Sequence, residues 1–166
     1  MSYARVRTDK MSGTNVSKDL VSAKYMGSGS TATAIENGNI VVIGALLTNE
    51  RELRKATTPA ANSPLASLAL VATPEVVKNK DFYTLGDFKN AAGDAIRCYR
   101  LNSGDQFSIT AEAYDAAAAV AVGDVVEAQA STKVKIVAAA TGLTSGSTKI
   151  GTVIAIEGDY CVIEVA

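Results

Sequence analysis

The chain has 166 residues, is 48% apolar, carries a formal net charge of −1 and has a mean hydropathy of +0.15. That composition excludes an intrinsically disordered chain, and no apolar run approaches the roughly 20 residues of a membrane-spanning helix. With no His, no Trp and only 5% aromatic residues, the chain lacks the usual catalytic base and most sugar-stacking surface, and its core must come from small aliphatic side chains.

Charge is unevenly placed. Residues 1–34 carry five basic residues (Arg5, Arg7, Lys10, Lys18, Lys24) against Asp9 and Asp19, a balance of +3, which leaves −4 for the rest. The segment is rich in Ser, Thr and Gly, has no sustained hydrophobic period, and contains the linker-like "GSGST" at 27–31. Residues 1–34 are therefore expected to form an extended arm that orders on a neighbouring acidic or phosphate-bearing surface. In that reading Arg5, Arg7, Lys10 and Lys24 supply charge, and Tyr3, Val6, Leu20 and Tyr25 supply apolar anchors. The N-terminus has no basic-then-apolar secretory pattern, so a soluble protein made in the cytoplasm is expected.

From Ile35 the signals are β. "NIVVIGALL" (39–47) is β-branched, short, and entered through Asn37-Gly38, which marks a core strand. "RELRKAT" (51–57) reads as the exposed return of a hairpin. Its Glu50–Arg54 spacing also fits one helical turn, which Thr57, Thr58 and Pro59 would stop. "ASLALVAT" (66–73) alternates Leu68 and Leu70 with small residues. "TLGDFKN" (84–90) suits a short helical turn with Thr84 as its cap. "AIRCYRL" (95–101) sets Ile96 and Cys98 on one face and Arg97 and Tyr99 on the other. "QFSITAEA" (106–113) places Phe107, Ile109 and Ala111 inward and Gln106, Ser108 and Thr110 outward.

"DAAAAVAVGD" (115–124) has alanines that favour helix, but its β-like end makes it a loop running into a strand. "VGDVVEA" (122–128) is a turn and strand, and "KVKIV" (133–137) turns Val134 and Ile136 inward. "TKIGTVIAIE" (148–157) is the strongest β stretch, with Gly151 marking a bulge, and "YCVIEV" (160–165) closes the chain. Five Gly-Asp pairs, at 86–87, 93–94, 104–105, 123–124 and 158–159, separate these runs. In each, Gly supplies an unusual φ and Asp caps the turn. The fold expected is all-β: a small, mainly antiparallel β-barrel or sandwich over 35–166, with the N-terminal arm and at most one or two short helices. Strand 35–47 is expected to pack against 148–165. Residues 75–105 stand as a candidate insertion or second lobe.

Catalytic constellations are poor. Serines have no His to activate them, and a Ser67–Lys pair is not singled out by spacing. Cys98 and Cys161 lie in no metal or redox spacing and read as buried free thiols. The Gly-Asp pairs lack an EF-hand or acidic repeat, "GSGST" lacks the rest of a phosphate-binding loop, and the acidic, aromatic-poor body does not suit nucleic acid. No catalytic, cofactor or metal residues are assigned, and no cofactor is expected.

The stretch from "AIENGNIVVIGALL" through "TPEVV", "LGDFKNAAGDAIRCYRLNSGDQFSIT" and "VGDVVEAQASTKVKIV" to "IGTVIAIEGDYCVIEVA", roughly residues 34–166, resembles the head decoration (cement) proteins of tailed bacteriophages. The resemblance implies a β-rich, non-enzymatic virion protein on the outer surface of the capsid. It would bind the major capsid protein, often as a trimer, and stabilise the shell, with no role for nucleic acid or membrane. Runner-up expectations are a tail or head-fibre base component and a surface glycan-binding module.

Overall fold

The computed structural model describes residues 3–7, 19–76 and 84–166. The protein is mainly β: among the described residues 40% lie in strands and no helix reaches seven residues. Five strands, β1 (Leu20–Tyr25), β2 (Ile40–Leu46), β3 (Arg54–Thr57), β4 (Leu68–Val71) and β5 (Ile96–Arg100), close a barrel in the order β1-β3-β2-β4-β5. A second sheet takes β6 (Gln106–Thr110), β7 (Tyr114–Ala116), β8 (Val125–Glu127), β9 (Val134–Val137), β10 (Lys149–Glu157) and β11 (Tyr160–Val165) in the order β6-β11-β10-β8-β9-β7. Pairing is antiparallel except between β1 and β3 and between β7 and β9.

Two apolar runs, β4 and the Ile40–Ile43 part of β2, are continuous because the chain there packs on both faces. In β4, Ala69 and Val71 point into the barrel with Val41, Ile96 and Cys98, while Leu68 and Leu70 face the second sheet with Phe107, Ile109 and Ile163. β2 divides in the same way: Val41 and Ile43 join the barrel interior, and Ile40 joins the core shared between barrel and sheet. Side chains alternate between faces along a strand, so a strand sandwiched between two cores must be apolar at every position. Strand β2 packs against the C-terminal strands, as "NIVVIGALL" suggests, with Ile40 in the same core as Ile150 and Ile163, although it does not pair with them. It pairs with β3 and β4 and meets Ile150 and Ile163 only through the shared core.

The Gly-Asp turns follow one geometry at three places. In residues 91–94, 102–105 and 121–124 the Asp N–H donates to the carbonyl three residues back, and the Asp carboxylate accepts the N–H of that same residue at 2.8–3.1 Å. Each Gly has positive φ, for example +86° at Gly104, which an L side chain resists. Asp87 uses the same reach inside a single 3-10 turn, accepting from both the N–H and the hydroxyl of Thr84. Those two bonds hold its carboxyl below the usual range. Gly151 sits where the β8–β10 register slips, the bulge expected from sequence.

Three expectations change. β1 lies inside the segment 1–34 and is a wall of the barrel, paired with β3 and β5. Residues 3–7 also belong to the body, because Val6 bridges Ile109 beside β6. Ser108 and Thr110 are buried rather than outward: β6 is flanked by β11 on one side and by Arg5–Arg7 on the other. Ala111 leaves the strand for a 3-10 turn and is exposed. Finally, residues 75–105 do not form a separate lobe as far as they are described, since β5 completes the barrel; residues 77–83 lie outside the described residues.

Candidate interaction surface

The N-terminal residues bind the protein's own second sheet. Arg7 donates its N–H to Ser108 O (3.0 Å), and Arg5 O accepts from Thr110 N–H (3.1 Å). Arg5 N–H reaches Thr110 Oγ1 and Ala4 N–H reaches a Glu36 carboxylate oxygen, each at 3.0 Å. Ala4 and Val6 are buried in the shared core. The Arg7 guanidinium lies 5.4 Å over the Tyr160 ring and 3.2 Å from the Glu157 carboxylate, and the Lys89 ammonium lies 5.0 Å over the Tyr3 ring.

Of the eight residues assigned to an arm, the seven that are described are thus divided between two parts of the fold. Arg5, Val6 and Arg7 flank β6 and the Tyr3 N–H donates to Gly86 O of the 3-10 turn that holds Asp87, whereas Leu20, Lys24 and Tyr25 belong to β1. Lys10 lies outside the described residues. The sequence reading gave Val6 and Tyr25 to a partner. The structure gives both to the protein's own cores, with Tyr25 inside the barrel and its hydroxyl 2.8 Å from Thr58 Oγ1. Tyr3, Arg5, Arg7 and Lys24 remain half-buried, and Leu20 is exposed.

Leu20 opens onto a feature the sequence reading missed. β3 pairs with β1 only at Ala23–Tyr25, so no β3 residue lies opposite Leu20, Val21 or Ser22. The barrel gapes there, and the gap is a cleft of about 360 Å³ lined by those three residues, Leu46, Glu52 and the guanidinium-bearing Arg51, Arg54 and Arg100. Arg54 is steadied by Gly44 O at 3.1 Å and Arg100 by Ala66 O at 3.3 Å. Leu46 is 45% exposed on the rim. Arg51 and Arg54 were visible as the polar hairpin return "RELRK", but only the β1–β5 pairing brings Arg100 to them.

Ser67, the two thiols and Glu127 are committed to the frame. The Ser67 hydroxyl donates to Pro64 O at 2.7 Å. Cys98 lies in the barrel core, where burial pushes its thiol up to about 12; Cys161 lies in the shared core, and burial, with Asp124 adding to it, pushes its thiol up to about 11. Neither supplies a thiolate near neutrality. Buried Glu127 accepts from Lys135 Nζ at 2.9 Å and from Thr144 N–H at 2.7 Å, tying β8 and β9 to the loop before β10. Burial works to raise its carboxyl, but the bonds from Thr144 and Lys135 outweigh it and hold the pKa below the ordinary value. Among the described residues no group of three or more His, Cys, Asp or Glu side chains is placed to hold a metal ion, and no helix is long and apolar enough to cross a membrane. No family model matches the chain, and neither the curated proteins nor the solved structures yield a match.

Proposed function

We propose that this chain is a non-enzymatic structural protein of a bacteriophage virion that binds the outer surface of the head and stabilises the shell through the major capsid protein. The observation that carries this reading is where the resembling stretches fall. They include Gly-Asp turns and flanking strands of two sheets fused over one core, and the carboxylates of Asp94, Asp105 and Asp124 are occupied by backbone N–H groups. Such a body is suited to presenting fixed surfaces. On a symmetric shell many copies act together, and a homo-oligomer, with a trimer favoured, makes later contacts effectively intramolecular, so modest individual contacts suffice.

The test is co-sedimentation of the purified protein with expanded heads of the source phage assembled without it, followed by reconstruction of the particles. Density repeated over the head lattice supports the proposal. Density confined to one vertex or to the tail would instead make the protein a tail or fibre-base component, and failure to bind heads at low salt would refute the head-surface role.

A further inference from the structure

We infer that the cleft at the open end of the barrel is a docking site for an extended acidic peptide segment of a protein partner, which adds to the free edge of β1 as a strand. Four observations converge on this. First, β1 is longer than β3, and among the described residues its Leu20–Ser22 half has a strand neighbour on the β5 side only. An edge of this kind offers backbone donors and acceptors to an incoming strand.

Second, the space beside that edge already exists, at about 360 Å³. Third, among the described residues its walls carry three guanidiniums against one carboxylate, Glu52, so the complementary ligand bears carboxylates, which guanidinium forks pair with well. Fourth, Leu20 and Leu46 stand exposed in the lining. Residues of a strand alternate between faces, so a peptide alternating acidic and aliphatic side chains would meet both the arginines and the leucines.

Charge also decides between occupants. Residues 8–18 of this chain carry Asp9 against Lys10 and Lys18 and do not complement a cationic cleft. Nucleic acid fits less well than peptide, because no aromatic side chain among the described residues lines the cleft for base stacking and Glu52 would repel phosphate. The inference concerns the chain's own cleft and holds whether or not the partner is a capsid protein.

The experiment is fluorescence anisotropy of the full chain with a labelled heptapeptide alternating Glu and Val. Three controls accompany it: a Gln/Val peptide, the Glu/Val peptide N-methylated at alternate amides, and a single-stranded oligonucleotide of matched charge. The Glu/Val peptide is expected to bind and to weaken as salt rises from about 0.05 M to about 0.5 M, because the guanidiniums are screened. R51E, which alters a side chain on the exposed turn, should weaken it about tenfold, while the N-methylated peptide should fail on the unaltered protein because its donors are blocked. Equal binding of the Gln/Val peptide would overturn the charge assignment, and equal binding of the N-methylated peptide would overturn strand addition. Tighter binding of the oligonucleotide, or no binding of the Glu/Val peptide to a folded protein, would overturn the proposal as a whole.

Discussion

Replacing Gly151 by Ala isolates one steric demand of the fold. A Cβ built on Gly151 lands on the carbonyl oxygen of Glu164, 2.9 Å from that residue's carbonyl carbon and 3.0 Å from Ile163 Cγ2. The atoms met first belong to the backbone of β11, which is paired with β10 on one side and β6 on the other. No side chain can swing away, so the strands must separate locally. Overpacking of this kind costs about 1–3 kcal/mol, and a clash with central-strand backbone belongs at the upper end. Restricting the unfolded chain returns about 0.4–1 kcal/mol.

The expected net loss is about 2 kcal/mol, or a melting temperature about 4–8 °C lower for a chain of this length. Urea unfolding followed by far-UV circular dichroism measures it. The mechanism is checked at Gly104, where φ is +86° and a Cβ would meet nothing within 4 Å. There the cost of Ala is conformational, about 1–2 kcal/mol, and Gly104→Asn should recover part of it because Asn tolerates the left-handed region. Gly151→Asn should instead be worse than Gly151→Ala. A G151A protein within about 0.5 kcal/mol of the parent, the ordinary range for an unconstrained surface change, would refute the close approach of β10 and β11.

Glu127 gives a pH prediction. Its carboxyl is depressed in the folded protein, so its contribution is full above the unfolded pKa of about 4.3 and is lost as pH falls through the folded value. E127Q should cost about 2 kcal/mol near neutrality, and the gap between parent and variant should narrow as pH drops below about 4; denaturant titrations across that range check it. Cys98 and Cys161 should resist a thiol-directed reagent in the native protein near pH 8, since both are buried with raised pKa values, and both should react in denaturant. Rapid native labelling of Cys98 would contradict the closed barrel. Val6→Asp should destabilise by about 3 kcal/mol, because it places a carboxylate in the shared core; unchanged unfolding would show that the N-terminal residues are not part of the body.

The legible parts of this sequence are those where one local rule suffices. A Gly-Asp turn announces itself because the cap and the capped N–H lie three residues apart. Strands such as Ile96–Arg100 and Val134–Val137 show their inward faces because only one face is buried. Where burial depends on which strand lies alongside, alternation misleads. Ser108 is polar by sequence, yet it lies between Val162 of β11 and the Arg5–Arg7 segment, and both neighbours come from distant parts of the chain.

The N-terminal segment shows why composition was a weak guide there. Its Ser, Thr and Gly content is that of a linker, but its few apolar residues are spaced for strands. Val21, Ala23 and Tyr25 all enter the barrel core on one face of β1, and Ala4 and Val6 enter the shared core two residues apart. A period of two over five residues outweighs the average character of thirty-four. The same accounting bears on the arginine cleft. β1 is inserted between β3 and β5 from outside their sequence order, and it overhangs the shorter β3 by three residues. The overhang, rather than any motif, creates the free edge. Lengthening β3 toward the turn would close the cleft while leaving every residue of the core in place.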